Sequence, residues 1–324
     1  MRPPLDDPVQ KPFILNDKEE RILDLLRDVG CATEEDIRHV LFRDKSAAYI
    51  RSILAKLSGG RDFAEAEVLY RFPVPSTAKG TKQRAYALGA KAGEVKAWEG
   101  FYRPSKARNL SFNVMAHNLR LTRFICSVHA MFDVHPQVRL ADIRMCYDIA
   151  RELRKLAAPN DGLPAPVLVV PDAWIHFELL DAKTGAHQSY LPIWLEVDNN
   201  TMYRLRFQQH VADRIDYIRS EQYANFYGEA AVRIAYATIG SRDEPRHSRL
   251  FAMRSWTEEV IKDLELADWN NVFYFTSLVY EDLYHLRHFT EPVWQTPADD
   301  TKRHLLGKNP AQSSLPEGSE GATS

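Results

Sequence analysis

The amino-acid sequence predicts a mixed α/β protein in two parts, and two observations carry this prediction. Residues 15–60 hold three short segments with apolar side chains at helical spacing, each bounded by capping residues or glycine. Residues 106–290 alternate between apolar runs typical of strands and longer segments typical of helices. At 324 residues the chain is long enough for two domains of ordinary size.

The three N-terminal helices are predicted from local signals. Asn16 and Asp17 are candidate caps of the first helix, which Gly30 ends, and Thr33 is the candidate cap of the second. The third helix, "DKSAAYIRSILAKLSGG", has one apolar stripe, formed by Ile50, Ile53, Leu54 and Leu57. Three short helices with tight turns are typical of a helix-turn-helix arrangement.

Two strand-like segments follow these helices, "EVLYRFPVP" and "KQRAYALGAKAG", and a loop rich in small residues joins them. Three helices followed by two strands is the order of a winged helix, with the wing between Pro75 and Lys82. We therefore expect an N-terminal arm at residues 1–14 and a winged-helix domain at residues 15–105.

The polar face of the third helix is the predicted contact with double-stranded DNA. Short polar groups suit base edges and long cations suit phosphates. The candidate residues are Lys45, Tyr49, Arg51, Ser52 and Lys56 on the helix, with Lys79, Lys82 and Arg84 on or beside the wing. Residues 1–110 contain 20 basic against 16 acidic residues, whereas the remainder contains 22 against 28. The alternative is that these side chains are only solvated and the domain serves dimerisation or packing.

The second part is predicted to be an α/β domain with a mixed central sheet, at residues 106–290. A long helix at 109–133 precedes two apolar runs, "LVVPDAWIHFELL" and "YLPIWLEVDNN", which indicate strands buried on both faces. Further helices and strands alternate up to residue 280. Residues 291–324 lack a periodic apolar pattern, so we expect a disordered tail there.

Three carboxylates stand at the ends of the two apolar runs. Glu196 and Asp198 point to the same face of their strand, and Asp172 is expected at the end of a neighbouring strand. Such a cluster suits Mg²⁺ or Mn²⁺, and "PD" followed by "ExD" resembles the metal-binding half of a PD-(D/E)XK nuclease. The lysine of that pattern is replaced by Asp198. Arg204 or Arg206 on the following helix would then have to assist at the phosphate.

The structural alternative for these carboxylates is local. Asp172 would end a strand, and Asp198 would form a turn with the asparagines that follow it. Glu196 fits this alternative less well, because a charge after "PIWL" is costly unless it is paired. His117 on the long helix would face the same site, although a packing role is the simpler interpretation.

Several other classes of protein lose support from the sequence. There is no GxxxxGK[ST] motif and no GxSxG motif, so no nucleotide or organic cofactor is indicated. The three cysteines form no CxxC pair, and His285 and His288 have no nearby partner for zinc. No secretory signal and no membrane-spanning run is present, which predicts a cytoplasmic protein with no membrane contact.

Taken together, these motifs resemble those of the bacterial replication-relaxation family of plasmids and other mobile elements. The resemblance covers roughly residues 15–280 and is carried by "LNDKEERILDLLRDVGCATEEDI", "RAYALGAKAG", "AHNLRLT", "VVPDAWI", "WLEVDNNT" and "RIDYI". It implies a DNA-binding winged helix fused to a PD-(D/E)XK nuclease-like domain, with acidic positions at Asp172, Glu196 and Asp198. One departure is "DNNT", which stands where an Arg-Gly is expected after the aspartate.

Three functional hypotheses follow from the sequence. The leading one is a DNA-binding protein for replication control or mobilisation, whose nuclease-like domain binds DNA or a partner without cutting. The second is a Mg²⁺-dependent endonuclease that uses Glu196 and Asp198 with Arg204 and Arg206. The third is a transcriptional regulator whose second domain dimerises. Replication or mobilisation proteins and a second copy of the chain are the expected protein partners.

Overall fold

The computed structural model describes residues 15–59, 68–74, 84–96, 111–132, 135–156, 169–198, 202–241 and 247–306. The chain forms two compact units, Met1–Met115 and Ala116–Ser324, so the division lies ten residues beyond the boundary expected from the sequence. None of the helices among the described residues combines the length and apolar character of a membrane-spanning segment.

The first unit contains a small antiparallel sheet and short helices. Its elements are α1 (Asp17–Val29), β1 (Cys31–Thr33), α2 (Glu34–Leu41), α3 (Ala47–Leu57), β2 (Leu69–Pro73), β3 (Arg84–Leu88) and α4 (Ala92–Lys96). The strands pair in the order β1-β3-β2. Strand β1 was not predicted from the sequence, because three residues are too short to show a strand period.

Side-chain caps explain why the first two helices begin where they do. Asn16 accepts hydrogen bonds from the backbone N–H groups of Lys18 and Glu19, and the Glu19 carboxylate accepts the Asn16 N–H at 3.1 Å. Thr33 forms the same reciprocal arrangement with Asp36. Gly30 ends α1 with φ at 78°, a left-handed conformation that favours glycine. The predicted roles of Asn16, Gly30 and Thr33 are confirmed.

The second unit is built around a five-stranded mixed sheet. Its elements are α5 (Phe112–Met131), which spans the division between units, β4 (Val138–Met145), α6 (Cys146–Leu156), β5 (Ala173–Leu180), β6 (His187–Asp198), α7 (Arg204–Arg219), α8 (Gln222–Tyr227), β7 (Arg233–Gly240), α9 (His247–Asp263), β8 (Phe273–Val279) and α10 (Arg287–Thr290). The order is β4-β5-β6-β7-β8, with β4, β5 and β6 antiparallel and β6, β7 and β8 parallel. The predicted mixture of helices and strands, with a mixed central sheet in the second unit, is thereby confirmed.

Aromatic side chains fill the core beside the central strands. Trp174 on β5 and Trp194 on β6 lie opposite each other in the strand register, and both are fully buried. Trp174 stacks on Tyr227 with ring centroids 4.8 Å apart and donates its indole N–H to the Tyr223 hydroxyl at 3.1 Å. The last residues of β6 are buried throughout, as the uninterrupted apolar run predicted.

The prediction of a disordered tail from residue 291 is wrong for residues 291–306. Trp294 and Leu305 are buried, and the backbone of Gln295 pairs with Phe275 of β8. Arg254 on α9 also binds the backbone carbonyls of Thr296 and Asp299. An irregular segment packed against a sheet has no periodic pattern to reveal it. The rest of the expected tail, residues 307–324, lies outside the described residues.

Candidate functional site

The first candidate surface is the polar side of α3 in the first unit. Arg51 and Ser52 are exposed there, Lys45 is exposed just before the helix, and Tyr49 is half-buried against the ring of Phe42. Ser46 caps the helix, because its hydroxyl accepts the Tyr49 N–H at 3.2 Å. The structure therefore places four of the five helix residues predicted to contact DNA on one accessible surface.

Lys56, the fifth predicted residue, has a different environment. Its ammonium lies 2.5 Å from the carboxylate of Glu19, which is buried on α1. A lysine that neutralises a buried carboxylate stays paired with it rather than binding DNA, because leaving that carboxylate unpaired is costly. We therefore assign Lys56 to the packing of α3 on α1.

The predicted wing, between Pro75 and Lys82, lies outside the described residues. Arg84 is exposed at the first position of β3, so its guanidinium is accessible. Lys79 and Lys82 lie outside the described residues, and their predicted role in phosphate binding stays a prediction.

The second candidate surface lies where β5 begins and β6 ends, in the second unit. Asp172 directly precedes β5, and its N–H donates to the Leu195 carbonyl of β6 at 3.1 Å. Its carboxylate accepts the Val197 N–H at 2.8 Å. The antiparallel register thus brings Asp172 beside the end of β6, as the sequence predicted. We call Asp172, Glu196 and Asp198 the carboxylate cluster.

Glu196 is held by an arginine that the sequence analysis did not identify as a partner. Arg214 on α7 donates from Nε at 3.0 Å and from Nη2 at 2.5 Å to Glu196 Oε1, and the indole N–H of Trp194 donates to the same oxygen at 2.7 Å. Both charged side chains are buried. Burial raises the pKa of Glu196, and the Arg214 charge opposes that rise. The guanidinium is thus the cation that opposes the effect of burial on Glu196 inside the protein.

Asp198 has its own arginine. Arg249, on the first turn of α9, forms a two-pronged pair with the carboxylate, with Nε at 3.0 Å and Nη2 at 2.9 Å from its two oxygens. The guanidinium also packs near the rings of Phe207 and Trp256, with centroids at 5.9 and 5.2 Å. Planar two-pronged pairing of this kind fixes geometry as well as charge. The ion pair therefore ties the end of β6 to α9.

Asp172 contacts a histidine from α5. His117 Nε2 lies 3.1 Å from Asp172 Oδ1, and both side chains are about one-fifth exposed. Burial lowers the pKa of His117, but the hydrogen bond and the charge of Asp172 together bring it above its usual value. His117 therefore contacts the carboxylate cluster and is more than a packing residue.

These contacts decide whether a divalent metal fits the carboxylate cluster. Five of its six oxygens accept a hydrogen bond from another group of the protein, and two buried guanidinium groups already balance two of the negative charges. Mg²⁺ and Mn²⁺ need carboxylate oxygens that are free to coordinate. Within the described ranges, no three His, Cys, Asp or Glu side chains form a group able to hold a metal. The residues do not fit the Mg²⁺ or Mn²⁺ site expected at Asp172, Glu196 and Asp198.

Arg204 and Arg206, expected to assist a phosphate at this cluster, are exposed at the start of α7. Arg204 pairs with Glu259 on α9 at 2.6 Å instead. Arg206 is among the exposed residues of that first turn. The cations at the cluster are Arg214, further along α7, and Arg249, on the first turn of α9.

A signal for these two arginines is present in the sequence. Arg214 follows Phe207 and Val211 at helical spacing, and Arg249 precedes Met253 at the same spacing, so each lies on the apolar face of its helix. A charged residue on such a face must be paired when the helix packs. This pattern indicates a buried ion pair, although it does not name the partner.

The remaining histidine and cysteine candidates form no metal-binding group among the described residues. His288 is buried and lies 2.8 Å from the Ser127 hydroxyl, and burial lowers its pKa to about 3, which makes it neutral. His285 is exposed near Asp282. The Cys146 N–H donates to the Asp172 carbonyl at 3.0 Å, and burial and the neighbouring carboxylate charge raise the pKa of its thiol to about 12. Such a thiol is not a nucleophile at neutral pH.

The family model described as Replication-relaxation matches residues 23–232, more than half of the chain. The chain belongs to the replication-relaxation family. The matched range runs from α1 to the residue before β7, so it includes α3, Asp172, Glu196, Asp198 and Arg214. Arg249, which pairs with Asp198, lies beyond the range matched to the replication-relaxation family. No curated protein matches the sequence.

Proposed function

We propose that the protein binds double-stranded DNA and acts in replication control or mobilisation of a plasmid or another mobile element. Family membership supports a role in plasmid or replication processes. The order α1-β1-α2-α3-β2-β3 with the sheet order β1-β3-β2 supports a winged-helix fold for the first unit. The observation that carries the proposal is the accessible surface of Lys45, Tyr49, Arg51 and Ser52 on and beside α3.

The second unit acts in this proposal as a nuclease-like domain that does not cut DNA. Two strands that place carboxylates side by side support kinship with the PD-(D/E)XK nucleases. The pairs Glu196–Arg214 and Asp198–Arg249 argue against cleavage, because they use the oxygens a metal would need. This unit would instead contact DNA, a replication or mobilisation protein, or a second copy of the chain.

A binding experiment tests the role of the α3 surface. The variant Lys45→Ala/Arg51→Ala is titrated with a fluorescent DNA duplex, and its affinity is compared with that of the wild type at several salt concentrations. Loss of two phosphate contacts should weaken binding and reduce the slope of log affinity against log salt by about two. Unchanged affinity and slope would place the DNA contact elsewhere.

The matched control is Arg27→Ala on α1. Arg27 is half-exposed and pairs with its acidic neighbour Asp28, as Lys45 pairs with Asp44. It belongs to the same unit but not to the α3 surface, so this variant should bind DNA as the wild type does. An equal loss per removed charge in both variants would show that net charge, rather than α3, determines binding.

A cleavage experiment tests the second unit. Supercoiled plasmid is incubated with the wild-type protein and Mg²⁺ or Mn²⁺, and we expect it to stay supercoiled. Nicking that disappears in Glu196→Gln would refute the non-cutting role and favour the endonuclease hypothesis. Nicking that persists in Glu196→Gln would indicate a contaminating nuclease.

A further inference from the structure

The second unit contains a pocket of about 330 Å³ at the carboxyl end of β8. Ser277 and Val279 of that strand line it, together with His247 and Leu250 from the first turn of α9. Its volume is at the lower end of the range for small-molecule sites, roughly 300–1,000 Å³. It therefore has room for a compact ligand.

The pocket has the mixed lining that small-molecule sites require. Leucine and valine side chains form its apolar wall, and Ser277, Asp282 and Lys302 supply a hydroxyl, a carboxylate and an ammonium group. His288 also lines the pocket, but burial keeps its imidazole neutral. The polar groups are few and different, so they would orient a ligand as well as attract it.

One cation of the pocket is available to an anion. Arg287 lines the pocket but pairs with Glu291 at 2.8 Å, so its charge is largely offset. Asp282 has His285 nearby, at 3.7 Å. Lys302 is exposed and pairs with no carboxylate in the part of the chain that the structure describes. Its ammonium is thus available for a charge-assisted hydrogen bond to an anionic ligand.

The position in the sheet supports a binding role. Ligands of open α/β sheets lie outside the carboxyl ends of parallel strands, and β7 and β8 are parallel. At the end of β6 this edge is closed by the Asp198–Arg249 pair, whereas at the end of β8 it is open. All the lining residues come after residue 232, where the family match ends.

We propose that this pocket binds a phosphate monoester carried on a small body, such as a nucleoside 5′-monophosphate or the 5′-phosphorylated end of a DNA strand. The choice of phosphate over carboxylate rests on the proposed DNA-related function, whereas the size, position and available cation of the pocket do not depend on that function. Lys302 and His247 would bind the phosphate, Ser277 would donate to it, and the apolar wall would hold the attached body.

Calorimetric titration with deoxyadenosine 5′-monophosphate tests the proposal on the full-length protein. We expect one binding site in the wild type, no binding of unphosphorylated deoxyadenosine, and roughly tenfold weaker nucleotide binding in Lys302→Ala. Lys262→Ala removes an exposed lysine of α9 that does not line the pocket, so it should bind as the wild type does. Ser277→Ala serves as a second pocket variant that leaves the lysine in place.

The same variants distinguish the two sources of phosphate. If the ligand is a DNA end, a 5′-phosphorylated oligonucleotide should bind more tightly than its 5′-hydroxyl counterpart, and Lys302→Ala should abolish the difference. If the ligand is a free nucleotide, only the mononucleotide should depend on Lys302. Absence of binding by both probes, or binding that Lys302→Ala and Ser277→Ala leave unchanged, would overturn the proposal.

These experiments test the pocket proposal and the α3 proposal independently. Lys45→Ala/Arg51→Ala should retain nucleotide binding at the pocket even when duplex binding is weakened. A protein that binds duplex DNA but no phosphate monoester would refute the pocket alone, and the reverse result would refute the α3 surface alone.

Discussion

Replacement of Arg214 by methionine is the perturbation that most directly tests how the carboxylate cluster is built. Methionine keeps a long, flexible apolar side chain near Trp194 and Tyr236, which the guanidinium now contacts at 5.9 Å from each ring centroid. It removes the two hydrogen bonds to Glu196 and leaves that carboxylate buried without its cation. The perturbation is therefore electrostatic more than steric.

The expected cost is large because both partners are buried. Removing one partner of a buried ion pair costs about 3–5 kcal/mol, which corresponds to a fall in melting temperature of roughly 6–20 °C for a unit of this size. The Arg214→Met/Glu196→Gln double variant removes both charges and keeps an oxygen that accepts the Trp194 N–H. It should be more stable than Arg214→Met alone, with a coupling energy of about 1–3 kcal/mol.

The assay is urea-induced unfolding of the wild type, both single variants and the double variant, followed by circular dichroism and tryptophan fluorescence. The pH dependence gives a second readout. Burial raises the folded-state pKa of Glu196, so its neutral form is favoured in the folded protein once Arg214 is gone. The cost of Arg214→Met should thus be smallest at acidic pH and grow as pH rises through that raised pKa.

Two results would refute the reasoning. A loss of less than about 1 kcal/mol at neutral pH would show that Arg214 is not the counter-ion on which Glu196 depends. A double variant as unstable as the sum of the two single variants would show that the two side chains act independently.

Three further predictions concern other contacts. The pKa of His117 lies above its ordinary value beside Asp172, so this contact contributes stability below about pH 6.5 that is lost as pH rises through the folded-state value. His117→Gln should therefore flatten the dependence of unfolding free energy on pH in that window, and an unchanged slope would contradict the contact. Lys56→Ala should destabilise the first unit by about 1–2 kcal/mol, because it leaves the carboxylate of Glu19 buried without its cation. Thermal unfolding checks this result, and an unchanged unfolding midpoint would favour the predicted DNA-contacting role of Lys56. Trp294→Ala should cost about 3–5 kcal/mol, since the indole is fully buried and donates to the His288 carbonyl at 2.7 Å. A loss near zero in urea unfolding would support the original expectation of a disordered tail.

The elements that the sequence analysis predicted correctly depend on short-range rules. Gly30 and Thr33 act on their own helices within a few residues, so their roles are visible in the sequence. The position of Asp172 beside Glu196 could also be predicted, because consecutive buried strands usually pair and their ends then meet. The small strand β1 was missed since three residues show no period.

The sequence by itself thus determined the fold class, the order of most helices and strands, and the proximity of Asp172, Glu196 and Asp198. Only the tertiary structure decided what these carboxylates do. Arg214 is 18 residues from Glu196, and Arg249 is 51 residues from Asp198. Their contacts depend on how α7 and α9 pack on the sheet, which no local pattern specifies. The physical reason is that capping and periodicity act over one or two turns, whereas the pairing of a buried charge is settled by whichever distant group the fold brings within hydrogen-bonding distance.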